Sequence, residues 1–486
     1  MNRETVVKSL IYKSLERGGS QVVSFVVQIC LARLLSPTDY GTLALIAVFV
    51  TISQVFVQSG LNIALIQRKD TDEVDYSSVF YVSLGISVAL YWALFGIAPV
   101  IASLYKLPGL TQVLRVLALI LFPTVLNSVQ TAKLTREMQF KKLMYSSLGA
   151  VVASGAAGIV MAGMGMGVWA LIGQLLAYQI MGGAIMWFTV KWRPGRLFSW
   201  EKVRSLFSFS WKLLCSTLLD TVYQNLRSLV IVKRYGTDML GYYNRGQQFP
   251  VIVSDNINGS IQTVMLPVLS REQENREQMK IAMRRAIVSS SYVVFPLMTG
   301  LAMIAKPLVS LLLTDKWLPC VPYLQICCAT YALYPIHTAN LQAMNAQGRS
   351  DLLLKLEIIK KAFDSAILLV TLFCFGSPIA IAMGGAASSV ISTFINTAPN
   401  KKLFGYSFRE QIGDILPFLL MSALMGACIY PIELLGLSNI LTVFLQVAVG
   451  AVVYSGTSRL LKIEAYLYLA NLLKSMFGRR LSLWRI

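Results

Sequence analysis

The chain has 486 residues, 56% of them hydrophobic and only 14% charged, with a formal net charge of +20 and a mean hydropathy of +0.62. Soluble domains carry about 25% charged residues, so a water-soluble globular fold is excluded. A nucleic-acid-binding reading of the positive charge fails as well, because the cations sit in short stretches between apolar runs of bilayer-spanning length.

Fourteen such runs follow in chain order: 8–34, 41–66, 77–103, 110–131, 144–162, 167–190, 206–233, 241–269, 285–313, 319–345, 352–374, 377–398, 411–435 and 438–461. Hydrocarbon offers no water to a free backbone, so each run is expected to be a helix. The expected fold class is an all-α polytopic membrane protein. The organisation predicted is a six-helix bundle over 1–200, a second over 201–405, two extra helices over 406–461, and a basic amphipathic cytoplasmic tail over 462–486 lying on the inner leaflet. The start, MNRETVVKSL, lacks the apolar core and cleavage site of a signal peptide.

The connections after even-numbered spans carry the cations. Lys133, Arg136, Lys141 and Lys142 follow the fourth; Lys191, Arg193, Arg196, Lys202 and Arg204 the sixth; Arg271, Arg276, Lys280, Arg284 and Arg285 the eighth. The odd connections are nearly bare, so both termini are expected in the cytoplasm.

One corner occurs twice. Residues 31–41 read LARLLSPTDYG and residues 231–241 read IVKRYGTDMLG. A shift of 213 further on superposes Arg136 on Arg349, Lys142 on Lys355 and Gly163 on Gly376. Spans 1–6 and 7–12 therefore read as two copies. Six is even, so the copies are parallel and related by an axis along the membrane normal. In the first corner Ser36 is placed to cap the next helix, Pro37 to open it, and Asp39 to complete a capping box.

Polar residues in four spans fall on one helical face. Span 1 has Lys13, Arg17, Ser20, Gln21, Ser24 and Gln28, and span 2 has Thr51, Gln54, Gln58 and Asn62. Span 7 has Ser216, Asp220, Tyr223, Arg227 and Arg234, and span 8 has Arg245, Gln248, Asp255, Asn258 and Gln262, with Pro250 at an expected kink. Facing lipid, each central charge costs at least about 2.5 kcal/mol. Three readings stand side by side: interhelical hydrogen bonding, snorkelling of Lys13, Arg33 and Arg234 to an interface, and a hydrated cationic cleft around Arg17, Arg227 and Arg245. In span 11, Lys360 and Asp364 are four apart and expected to pair.

Other signals point to packing. The seven cysteines form no C-x-x-C pair and read as buried thiols. Asp70-Thr71-Asp72 matches the D-x-D of sugar-nucleotide transferases but sits in a short loop. Gly163–Gly167 follows no strand and lacks a P-loop lysine. The single histidine, His337, is expected to be packed or pore-facing. No metal or organic cofactor is expected.

The segments LARLLSPTDYGTLALIAVFV, GLNIALIQRKD, TREMQFKKL, YYNRGQQFP, TDKWLPCVPYLQICCATY and NAQGRSDLLLKLE resemble, collinearly, the polysaccharide transport family of the MOP superfamily, in particular colanic-acid-exporter-type oligosaccharide flippases. The resemblance implies a MOP-type fold and a multi-pass protein of the bacterial inner membrane. It implies a flippase that carries undecaprenyl-pyrophosphate-linked repeat units to the outer leaflet by alternating access through a cationic cavity. Polymerase and export machinery are candidate partners; nucleic acid is not. On that expectation Arg17, Arg227 and Arg245 grip the pyrophosphate, and Gln21, Gln28, Gln54, Gln58, Asn62, Tyr223 and Asn258 line the polar, sugar-facing cavity. Asp220 and Asp255 balance charge or couple an ion. Proton, sodium and membrane potential are left open as the drive. The alternatives are a cation-coupled antiporter of drugs or organic cations and, from another class, a membrane glycosyltransferase or polymerase.

Overall fold

The computed structural model describes residues 3–58, 61–67, 71–190, 192–273, 275–463 and 466. Asp70, and the predicted amphipathic tail beyond Tyr466, lie outside the described residues. The first part of the chain forms α1 (Arg3–Leu34), α2 (Pro37–Gln58), α3 (Leu61–Gln67), α4 (Glu73–Tyr105), α5 (Leu110–Ala118), α6 (Leu121–Arg136), α7 (Phe140–Gly163), α8 (Val168–Thr189) and α9 (Trp200–Tyr235). The second forms α10 (Thr237–Arg271), α11 (Arg276–Met303), α12 (Ala305–Leu313), α13 (Val321–Ala332), α14 (Tyr334–Ala346), α15 (Ser350–Val370), α16 (Pro378–Thr397), α17 (Asn400–Phe404), α18 (Phe408–Glu433) and α19 (Asn439–Leu460). Every predicted span holds helix. Among the described residues, 9 helices are long and apolar enough to cross a membrane. The spans at α1, α9, α10 and α15, and the divided one at α13 and α14, are not among them.

Four predicted spans hold two helices rather than one, the second (α2, α3) and the ninth (α11, α12) among them, and the other two correspond. The fourth divides between α5 and α6, and the tenth between α13 and α14. A shift of 213 residues carries Ile120, in the first break, onto Leu333, in the second. Pro123 and Pro335 follow the breaks and sit in the first turn of the new helix, where a missing N–H costs nothing.

The chain forms two compact units, Met1–Gly241 and Tyr242–Ile486. They do not coincide with the predicted halves, because α9 packs against α2, α3 and α4 in the first unit. That unit is built on α7, which lies along α8 and α1. Its core includes Leu31, Ala162 and Leu171 at one level and Leu65, Val79, Val129 and Trp192 at another. Small residues let the helices approach: a Cβ on Gly155 would stand 2.4 Å from Val27 Cγ2.

The repeated corner lies within this unit and answers itself. Asp39 Oδ2 accepts from Ser36 N at 2.9 Å and from Ser36 Oγ at 2.6 Å, while Asp39 N donates to Ser36 Oγ at 3.2 Å. The expected capping box is therefore present. The second corner packs on the first: a Cβ on Gly41 would lie 1.8 Å from Thr237 O, and one on Gly241 would lie 2.2 Å from Pro37 O.

In the second unit α11 packs along α18 and against α13, α18 pairs with α19, and α15 pairs with α16. A buried amide network holds α18 in place. Asn340 Nδ2 donates to Thr397 Oγ1 at 3.0 Å and to Gln411 Oε1 at 3.1 Å, and Asn400 Nδ2 donates to Asn340 Oδ1 at 2.7 Å. His337 is packed, its ring nitrogens 3.2 Å from Thr393 Oγ1 and 3.0 Å from Asn396 Nδ2. Lys360 bonds Glu357, three residues before it. All seven cysteines are free; Cys320, Cys327 and Cys328 are buried, whereas Cys215, Cys374 and Cys428 are exposed, against the expectation of buried thiols.

Candidate functional site

The first unit holds an open pocket of about 420 Å³ with many polar residues in its wall. Six helices line it, each near the same end of the bundle. Lys13 and Glu16 come from the start of α1, Gln58 from the end of α2, and Asn62 and Ile66 from α3. Thr124, Asn127, Ser128 and Thr131 form one face of α6, Ser146 and Ser147 lie early on α7, and Tyr178 and Gln179 late on α8. This end also carries the basic last turn of α6, where Lys133 bonds Glu73 at 2.6 Å.

Among the described lining residues the charges pair. Lys13 Nζ stands 3.0 Å from Glu16 Oε2, and Ser147 Oγ donates to Glu16 Oε1 at 3.1 Å. Lys13 therefore holds a carboxylate beside a cavity rather than only reaching for an interface. Asn127 Nδ2 spans to α8, donating to Gln179 O at 2.8 Å and Gln179 Oε1 at 2.9 Å. Asn62 is 6% exposed. Its Nδ2 donates to Val57 O at 3.2 Å, and its Oδ1 accepts no hydrogen bond from the described residues.

Of the residues expected to meet a sugar, Gln58 and Asn62 are brought together here. Gln21, Gln28 and Gln54 are half-buried on α1 and α2 and do not line the pocket. Tyr223 is half-buried on α9, on the same face as Asp220 and Arg227, both also half-buried. Asn258 lies on α10. It is 7% exposed, its Nδ2 donates to Ser254 Oγ at 3.0 Å, and its Oδ1 accepts from Thr338 Oγ1 at 3.2 Å. It ties α10 to α14. Asp255 is exposed on α10.

The three arginines differ in setting. Arg17 lies on α1 and its side chain is outside the described residues. Arg227 belongs to the first unit. Arg245 belongs to the second and is 5% exposed. Its guanidinium lies 5.3 Å from the centre of the Trp317 ring and bonds Gln248 on its own helix. The close approach that this needs is made by Gly246, where a Cβ would come within 2.7 Å of Cys320 O.

Asp72, of the D-x-D match, caps α4 in a capping box with Asp75 and bonds Lys202. That ammonium, with the Asp75 backbone N–H, pulls the Asp72 carboxyl down from 3.8 to about 2. A helix cap and an ion pair account for the motif. Glu16 and the α6 stripe were missed by the sequence reading. Their spacing, Thr124, Asn127, Ser128 and Thr131, is the same signal that marked α1 and α2.

Residues 30–322 match the family described as Polysaccharide biosynthesis protein. The succinoglycan biosynthesis transport protein ExoT of Rhizobium meliloti is 23% identical over 94% of this chain and 93% of its own length. The lipopolysaccharide biosynthesis protein WzxC of Escherichia coli is 23% identical over 80% of each. Among solved structures, the lipid II flippase MurJ in an inward closed conformation superposes with a TM-score of 0.72 at 17% identity, over 93% of this chain and 98% of that one. The chain thus shares the fold of that structure.

Proposed function

The chain belongs to the polysaccharide biosynthesis protein family, and we propose that it is a flippase that moves undecaprenyl-pyrophosphate-linked oligosaccharide repeat units across the bacterial inner membrane. The observation that carries this reading is the collinear match, over 94% of the chain, to a polysaccharide biosynthesis transport protein, on the fold of a lipid II flippase.

The physics of the cargo supports it. A pyrophosphate diester bears about two negative charges, and the Born cost keeps it out of hydrocarbon. Arginine offsets that cost and meets phosphate oxygens two at a time. In this reading Arg17 and Arg227 contact the pyrophosphate, and Arg245, braced by Trp317, supplies fixed positive charge. Asp220 and Asp255 balance these cations or carry a coupling proton or sodium ion. With the cytoplasm negative and both termini inside, an anion moving outward gains about 2.3 kcal/mol per charge per 100 mV. The membrane potential alone can therefore bias transport. The polyprenyl tail stays in lipid throughout, and polymerase and export machinery receive the product.

The test is purified protein in vesicles loaded on one side with an undecaprenyl-pyrophosphate-linked glycan. Exposure of the glycan on the far face, faster than in protein-free vesicles, is expected. Rates equal to protein-free vesicles would overturn the reading.

A further inference from the structure

We propose that the connection between α8 and α9 is a binding ledge for an acidic phospholipid of the cytoplasmic leaflet, a role that goes beyond transport and does not depend on the cargo. The ledge is pinned from behind. Trp192 is buried and meets Tyr76 edge-on, with ring centres 6.1 Å apart. Gly195 N donates to Ser77 Oγ at 3.0 Å and Ser199 N to Ser78 Oγ at 2.9 Å, so the second turn of α4 fixes the chain. Lys202 is engaged by Asp72. Arg193 Nη1 donates to Val190 O at 2.7 Å and to Trp192 O at 2.8 Å, and its guanidinium lies 4.0 Å from the centre of the Trp187 ring. It thereby meets carbonyls at the end of α8. The outward side is apolar and cationic. Leu197, Phe198 and Trp200 are between 53% and 65% exposed, and the two rings stack with centres 6.4 Å apart. Arg196 and Arg204 are exposed beside them. Arg204 is four residues on from Trp200 along α9, hence on the same face. Phe207 and Trp211, also exposed, continue that face, whereas Val203, Leu206 and Ser210 behind it are buried.

A contiguous apolar patch held rigidly outward marks a contact surface. Tryptophan gathers at the level of lipid headgroups, and a guanidinium placed there meets phosphate oxygens two at a time. A net-negative headgroup suits the ledge better than a zwitterionic one. The ammonium of the latter would stand beside Arg196 and Arg204, with Glu201 the one exposed carboxylate among the described residues 192–204. The positive-inside rule places this cation-rich connection in the cytoplasmic leaflet, whose anionic lipids attract such segments. Other occupants fit less well. Free phosphate offers nothing to Leu197, Phe198 and Trp200. A soluble protein does not reach the rest of the face, because Trp211 lies about 16 Å further along the helix axis than Trp200, at a depth that acyl chains fill. A lipid seated here would touch a segment tied to both α4 and α9, and so would stabilise the first unit by mass action.

The experiment is native mass spectrometry of the full-length protein released from detergent micelles. The protein is titrated with phosphatidylglycerol or with phosphatidylcholine of the same acyl chains. Tighter retention of phosphatidylglycerol is expected. Its affinity should weaken roughly fivefold in Arg196→Gln and in Arg204→Gln, the effect of one cation near an anionic surface, and further in the double variant. Arg285→Gln, which removes an exposed cation of α11, should leave it unchanged. The unfolding temperature is measured for each variant, and Trp200→Ser, expected to weaken binding as well, replaces any arginine variant that does not fold. Equal retention of the two lipids, undiminished phosphatidylglycerol binding in the folded double variant, an equal loss in Arg285→Gln, displacement by inorganic phosphate, or a dimer that the double variant abolishes would each overturn the proposal. Vesicle translocation on the same preparations separates this from the flippase reading. A protein that prefers phosphatidylglycerol but moves no lipid-linked glycan removes the flippase and leaves the ledge. A protein that translocates without any such preference removes the ledge and leaves the flippase.

Discussion

The hydroxyl of Thr38 donates to Asp238 Oδ1 across 2.6 Å, and the two residues stand 200 positions apart in the chain. Each sits three residues before a glycine, Gly41 or Gly241, whose missing side chain lets the other corner's backbone in. One corner is therefore the receptor of the other. Gly41→Ala should destabilise the protein by about 2 kcal/mol or more through overpacking, since its Cβ would fall 1.8 Å from a carbonyl oxygen. Gly96→Ala, with nothing within 4 Å, should be neutral. Thermal unfolding of the two variants in detergent checks the contrast.

The arginines should separate by readout. Arg227→Gln is expected to lower glycan translocation at least tenfold in protein that still folds. Arg245→Gln should lower both translocation and the unfolding temperature, because it also removes a contact to Trp317 worth about 1–2 kcal/mol when desolvated. Surface polysaccharide at equal protein expression, read beside melting curves, tests the pair. Wild-type output from both would remove the arginines from cargo recognition.

The Asp72 carboxyl gives an acid limb with a definite sign. Its folded-state pKa lies near 2, below the ordinary 3.8, because Lys202 favours the ionised form. Its stabilising contribution is thus complete above about pH 4 and is lost as pH falls toward 2. Lys202→Met should flatten this part of the stability profile. Asp72→Asn should cost about 1 kcal/mol as a weakened cap yet leave translocation intact, which is the outcome opposite to that of a transferase motif.

A drug-efflux test addresses the rival reading. Asp220→Asn and Asp255→Asn are expected to leave resistance to cationic drugs unchanged in cells that express the protein. A loss of efflux in either would favour an antiporter.

Apolar length and polar periodicity carried much of this into view in advance. Ser36 and Asp39 gave the capping box because a cap needs only local chemistry. The stripe through Gln58 and Asn62 was legible for the same reason. What periodicity cannot supply is the partner. Asn258 lies on a stripe yet is spent on Ser254 and Thr338, and Lys360 chooses Glu357. The break at Ile120 hid inside an apolar run, and the assignment of α9 to the first unit depends on packing with α2, α3 and α4. Glu16 was legible only after Lys13 and Ser147 converged on it.

The amides of Asn340, Asn400 and Gln411 meet where α18 joins the second unit, and all three are almost wholly buried. A ribosome releasing its product before Ser407 would leave Asn340 without its hydrogen bonds to Gln411. Quality control should treat such a fragment as misassembled. Any minimal carrier engineered down to twelve helices would need a new partner for Asn340 in place of Gln411.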